Sequence, residues 1–175
     1  MNIRKATIDD IDSIMDVEFS SFIKEIQENK NVFIERIKRC PSLFLIFEDD
    51  DKSIGGYLSS EIMTKIPETA KELELGHLPS NTENKENSKK YIYISSFAIL
   101  PKYRGSGMGK IMWNKSIEYF KENLNIESFL LLVNEEWKGA FHIYESSGFT
   151  VVKEFPSFFF SNEKGSSSGI LMVKE

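Results

Sequence analysis

Gly105, Gly107 and Gly109 stand at alternate positions between a strand-like run, Tyr91 to Leu100, and a helix-like stretch with Trp113, Ile117 and Phe120 at helical spacing. Glycines leave their amide hydrogens open to close approach, and a helix start adds the positive end of its dipole, so the turn suits a phosphate group. Spacing excludes two familiar phosphate loops. The dinucleotide pattern Gly-x-Gly-x-x-Gly requires glycine at 110 or 112, where Lys110 and Met112 stand. The ATP-binding loop requires glycine at 104 and Ser or Thr at 111, where Arg104 and Ile111 stand. The plain alternative is a glycine-rich turn that only opens a helix.

The run Arg104-Gly105-Ser106-Gly107-Met108-Gly109, directly after Phe97-Ala98-Ile99-Leu100-Pro101, resembles the pyrophosphate loop of the GNAT acetyltransferase superfamily. A second stretch, Ala140-Phe141-His142-Ile143-Tyr144-Glu145-Ser146-Ser147-Gly148-Phe149, is similar to the family's later signature Ala-x-x-x-Tyr-x-x-x-Gly-Phe. The start of the chain, Ile3-Arg4-Lys5-Ala6-Thr7 followed by Asp9-Asp10, is of the same type. The resemblance therefore spans the chain in the right order. It implies an α/β (α+β) fold, a mixed and mostly antiparallel sheet of six to seven strands with helices on both faces.

The resemblance also implies acetyl-coenzyme A as cosubstrate, with no metal. It sets Phe97, Ala98 and Ile99 against the pantetheine arm and acyl group, where a bulge splays the strand from its neighbour. Arg104, Gly105, Ser106, Gly107, Met108, Gly109 and Lys110 fall around the pyrophosphate. An amide near Ile99 is expected to donate to the thioester oxygen, and Tyr144 is expected to protonate the departing thiolate as general acid. The plain reading of Phe97 and Ile99 is core packing, and that of Tyr144 a buried tyrosine with a structural hydrogen bond.

Within the superfamily, Cys40-Pro41-Ser42-Leu43, Gly55-Gly56 and Leu73, Leu75 and His77-Leu78-Pro79 are similar to the arylalkylamine N-acetyltransferases. The two histidines of that branch fall on Tyr93 and Ser95, which become the expected acceptor-side residues. The asparagine that the family often carries seven residues before its tyrosine is here Trp137, with Asn134 three earlier. An alkylamine with a pKa of about 10.4 must lose a proton before it attacks. Tyr93, Ser95, Glu61 and His77 are the relay candidates. Of these Glu61 reads as a solvated carboxylate at a strand end and His77 as an exposed loop histidine. His142 reads as a satisfied, partly buried helix residue and Cys40 as a packed thiol.

The elements that must hold these residues follow from periodicity. Residues 1 to 7 read as a strand, and Thr7 or Asp9 caps a helix whose Ile11, Ile14, Met15 and Phe19 share a face. A second helix, Asn31 to Arg39, buries Phe33, Ile34 and Ile37 and stops at Pro41. Strands at Ser42 to Phe47 and Ile54 to Met63 flank an acidic turn. Residues 64 to 90 are polar and read as a mobile loop longer than a compact domain usually carries. After the glycine turn and its helix come the strand Phe129 to Val133, the helix Trp137 to Ser147 and a closing hairpin, Phe149 to Phe160 with Gly169 to Val173.

The chain has 175 residues, 22 Lys plus Arg against 27 Asp plus Glu, and a formal net charge of −5, which reads as one domain, 1 to 175, with nucleic acid excluded as its main partner. One cysteine and no apolar leader point to a cytoplasmic setting, and no apolar run reaches a membrane span's length. The expected activity is acetyl transfer from acetyl-coenzyme A to a primary amine of a small molecule, with a homodimer allowed. A protein or peptide amine is the alternative acceptor, and a non-catalytic acyl-coenzyme A binding module the alternative class.

Overall fold

The computed structural model describes residues 2–76, 78 and 89–175. His77 and most of the second half of the 64–90 stretch, with the mobility expected there, lie outside the described residues.

Seven strands form one sheet in the order β1-β2-β3-β4-β5-β7-β6: β1 Asn2–Lys5, β2 Phe44–Glu48, β3 Ile54–Met63, β4 Tyr91–Ile99, β5 Ser128–Asn134, β6 Thr150–Ser161 and β7 Gly165–Lys174. Only β4 and β5 run parallel. Helices α1 Ile11–Ser21, α2 Lys30–Arg39, α3 Met108–Leu124 and α4 Lys138–Ser146 complete the fold.

Alternation along the strands divides the apolar residues between two cores, because successive side chains point to opposite faces. Phe44 and Ile46 of β2, with Tyr57 and Ala98, pack beneath Ile14, Met15 and Val17 of α1 and Phe33 and Ile37 of α2. Leu45 and Phe47, with Leu58, Ile92 and Ile94, pack beneath Met112, Trp113, Ile117 and Phe120 of α3 and Tyr144 of α4. Helices therefore cover both faces, as expected.

Phe19 departs from the expected stripe and is 57% exposed, whereas Glu18 is 1% exposed. At about 100° per residue, position 18 lies closer than position 19 to the middle of the stripe set by Ile11, Ile14 and Met15, so the inward place falls to a carboxylate. The first part of the long loop is also ordered by packing. A 3₁₀ turn at Ala70–Leu73 buries Leu73, and Ile66 and Ala70 pack with it on Tyr91 and Tyr93.

The start of the chain is fastened by charge. Arg4 makes two bonds of 2.8 Å to the Asp10 carboxylate and one of 3.0 Å to Glu48. The guanidinium holds the Asp10 carboxyl down at about 2. Gly56 lets β3 approach β4: a Cβ there would lie 2.6 Å from the Ala98 carbonyl oxygen, closer than any side chain is tolerated. No helix among the described residues is long and apolar enough to cross a membrane.

Candidate active site

The site begins where two parallel strands part. β4 pairs with β5 over Tyr91 to Ile94, and no pairing joins them beyond that point. On its other side β4 continues along β3, with a bulge that sets Ser95 outside the register between Ser59–Ser96 and Ser60–Ile94. The extra residue shifts the alternation, so Ile92, Ile94, Phe97 and Ile99 all join the α3 core, whereas Tyr93 and Ala98 face the other way. Past Ile94 the edge of β4 that turns toward β5 carries backbone groups with no strand beside them. A wedge opens there, and an extended chain can add itself as a strand.

The wedge widens into a cleft of about 1470 Å³. Phe97, Ala98 and Ile99 line it from β4, Val133 and Asn134 from β5, and Ile143 and Tyr144 from α4. At one end lie Arg104, Gly105, Gly107, Gly109 and Lys110. Gly105 and Gly107 have φ of +73° and +81°, in the left-handed region, and nothing lies within 4 Å of a Cβ built on either. That conformation turns successive amides outward at the start of α3, whose N-cap is Gly107. The two remaining members of the run do not line the cleft. Ser106 donates its hydroxyl 2.7 Å to the Tyr103 carbonyl, and Met108 packs against the core, so each contributes to the turn through its backbone.

Tyr144 is 8% exposed, with its ring centroid 4.7 Å from that of Trp113 and 6.2 Å from that of Phe149. Its hydroxyl makes no hydrogen bond to another described residue, and burial pushes its pKa well above the ordinary tyrosine value. The phenol remains protonated at neutral pH and is available as a donor.

Tyr93 and Ser95 line the cleft. Tyr93 is buried and held protonated, first by desolvation and then by the charge of Glu61 opposite it on β3. Glu61 is 3% exposed, so the solvated strand-end carboxylate expected at this position is a buried one at the cleft wall. Periodicity does not report depth at the end of a strand that another segment covers. His142 is exposed on α4, opposite to the partial burial expected of it. Cys40 is a free, half-buried thiol whose pKa is raised by burial and then by Glu61, which leaves it a poor nucleophile.

Sequence patterns did not point to a buried polar network under β3 and β4. Arg36 reaches Glu28 at 3.3 Å, Ser59 Oγ at 3.3 Å and Ser95 Oγ at 3.2 Å, and Glu18 joins Tyr57. Nor did they point to an aromatic contact beside the cleft, in which Trp137 at the start of α4 meets Phe22 after α1 at 5.7 Å and Phe159 of β6 at 5.5 Å. Among the described residues no group of three or more His, Cys, Asp or Glu is arranged to hold a metal ion.

Comparisons with known proteins agree with this geometry. The model of the acetyltransferase (GNAT) family matches residues 8–149. An N-alpha-acetyltransferase of Sulfurisphaera tokodaii is 27% identical over 163 residues, 92% of this chain and 87% of the relative. The loading GNATL domain of CurA from Lyngbya majuscula superposes with a TM-score of 0.78 at 16% identity, covering 99% of this chain and 96% of that one. Arabidopsis thaliana NAA60, solved with a bisubstrate analogue, superposes with a TM-score of 0.73 at 16% identity over 99% of this chain and 96% of its own. The chain belongs to the GNAT family and is an acetyl-coenzyme A-dependent N-acetyltransferase.

Proposed function

We propose that the acceptor is the α-amino group of a polypeptide, acetylated at the parting of β4 and β5 by a single catalytic domain. The observation that carries this is the breadth of the cleft's border. Three segments besides the strands, the glycine turn and α4 contribute to it: Phe22, Ile23 and Ile26 between α1 and α2, Leu73 and Leu75 of the 70–76 segment, and Phe158 to Phe160 of β6. An extended chain with several side chains needs such a border, and a single small amine does not. The relative named N-alpha-acetyltransferase, matched over most of both chains, supports the same reading.

The small-molecule amine expected from sequence is the second reading. It is favoured by the Phe22–Trp137–Phe159 contact, which narrows the passage between the α1–α2 connection and β6. Coenzyme A release with unblocked peptides, the same peptides carrying a blocked N-terminus, and a panel of alkylamines separates the two. Turnover confined to unblocked peptides is expected; turnover confined to small amines replaces the first reading with the second.

Acetyl-coenzyme A fits the residues present: a strand edge open to an extended arm, a turn with free space over Gly105 and Gly107, and the cations Arg104 and Lys110 beside it. In this reading Phe97, Ala98 and Ile99 hold the pantetheine arm, and residues 104 to 110 the diphosphate. When bound, the cosubstrate supplies an activated acetyl group and a thiol leaving group. Tyr144 donates the proton that the leaving group takes up. Tyr144→Phe is expected to lower kcat at least about tenfold, roughly 1.4 kcal/mol of barrier, with coenzyme A affinity nearly intact. Steady-state kinetics beside calorimetric titration reads both, and an unchanged kcat removes Tyr144 from the acid role.

A further inference from the structure

The network under β3 and β4 contains a chain of hydroxyls whose direction is fixed. Tyr57 donates its hydroxyl proton to Oε2 of Glu18, and the same phenolic oxygen lies 2.8 Å from Oγ of Ser96. A phenol has one proton to give. With that proton on Glu18, the contact with Ser96 must run the other way, Ser96 donating to Tyr57. The lone pairs of Ser96 Oγ are then left as acceptors, and Ser96 is a half-buried residue lining the cleft next to Phe97, at the parting of the strands.

We infer that Ser96, Tyr57 and Glu18 form the relay that takes the proton from the attacking amine. This rests on the acceptor reading above. Ser96 is the catalytic residue, touching the amine; Tyr57 and Glu18 act through it. The step balances without a further reactant. The ammonium N–H bond breaks and its proton goes to Ser96 Oγ, the Ser96 proton goes to Tyr57, the Tyr57 proton goes to Glu18, and the amine keeps the electron pair with which it attacks. Glu18 ends as a neutral carboxylic acid.

The surroundings of Glu18 suit that end state. Its other oxygen accepts the Glu28 amide at 2.6 Å. Desolvation raises its pKa; the Glu28 carboxylate adds to this, while the Glu28 amide, the Tyr57 hydroxyl and the charge of Arg36 oppose it. An ordinary glutamate is a weaker base than an α-amino group by roughly three to four pK units, and burial closes part of that gap. Ser95, one residue away, has no such route. It receives a hydrogen bond from Arg36, and its own hydroxyl donates to the Ser59 carbonyl at 3.1 Å, a backbone oxygen that takes up no proton.

The test compares wild type with Ser96→Ala, Tyr57→Phe and Glu18→Gln, using acetyl-coenzyme A and an unblocked peptide, after melting curves have shown which variants fold. At pH 7 each variant is expected to lose about a hundredfold in kcat, the scale of a lost general base, with coenzyme A affinity held. At pH 9, where an α-amino group is largely free, the deficit is expected to shrink to a few-fold. A structural defect would not shrink in this way. Infrared difference spectra of the protein without substrate are expected to show a buried carboxyl band that titrates in wild type and is missing in Glu18→Gln. Deficits equal at both pH values, or a wild-type spectrum lacking that band, overturn the relay while leaving the acceptor reading in place. Absence of transfer to peptides by wild type overturns the acceptor reading itself, and the spectra still judge whether Glu18 takes up a proton.

Discussion

Gly107→Val is expected to weaken coenzyme A binding about a hundredfold, which corresponds to roughly 2.7 kcal/mol. Two costs add. The first is conformational: Gly107 sits at φ +81°, where an L-residue is disfavoured by about 1–2 kcal/mol and a β-branched one by more, so valine pulls the turn toward negative φ. That rotation swings the amides at the start of α3 away from the direction in which they now point. The second is steric. Nothing lies within 4 Å of a Cβ built on Gly107, so the new side chain enters the open space that the proposed reading gives to the diphosphate. Calorimetric titration of coenzyme A, with a melting curve to show that the fold survives, measures the loss. Gly109 provides the contrast. It lies within α3 without a positive φ, and a Cβ there meets Ile99 Cδ1 at 3.3 Å and Ile143 Cδ1 at 3.7 Å, so Gly109→Ala presses on packing rather than on the anion. Equal affinity in Gly107→Val and wild type would mean that the turn does not hold the diphosphate.

The conformation of the glycine turn was legible in sequence because glycine supplies φ near +75° cheaply at alternate positions. The end of α4 was legible through the spacing of Tyr144 to Gly148 and Phe149, where the Phe149 amide donates to the Tyr144 carbonyl. The inner strands β2, β3 and β5 were legible because they are buried on both faces and read as apolar runs.

Glu18, Glu28, Arg36 and Glu61 were not, for a common reason. Charged residues are assigned to the surface unless a partner is visible, and the partners here are 8 to 59 positions distant in the chain, as Glu28 and Ser95 are from Arg36. A helical wheel of α1 carries the signal for Glu18, since its place in the middle of the apolar stripe is odd for a solvated carboxylate. Ser96 carries no sequence signal. Its role depends on a bulge that moves Ser95 out of register, and a one-residue shift in a strand exchanges the faces of everything beyond it.

Arg36→Met is expected to cost about 3–5 kcal/mol of folding stability, the largest effect of any substitution considered for this chain. Arg36 and Glu28 are each 5% exposed as side chains, and their ion pair at 3.3 Å lies beneath the sheet rather than at its rim. Methionine preserves the length of the stem and removes the charge. Glu28 would keep the amides of Asn29, at 2.8 Å, and Gly76, at 3.1 Å, but would lose the cation beside it. Ser59 and Ser95 would lose a shared donor at the point where β3 and β4 change register. A buried carboxylate left without its counter-ion is the expensive species, so removing it as well should recover much of the loss. The double variant Glu28→Gln with Arg36→Met is therefore expected to lie closer to wild type than the sum of the single losses. Urea midpoints at pH 7 for the four proteins of this cycle give the coupling directly. Additive losses would show that Arg36 stabilises the chain through its stem and its serine contacts rather than through Glu28. The same variant separates stability from chemistry, because Arg36 opposes the upward shift of Glu18. Whatever Arg36→Met protein remains folded at low temperature should hold a Glu18 that takes up a proton at higher pH than in wild type, in the infrared titration that reads the relay.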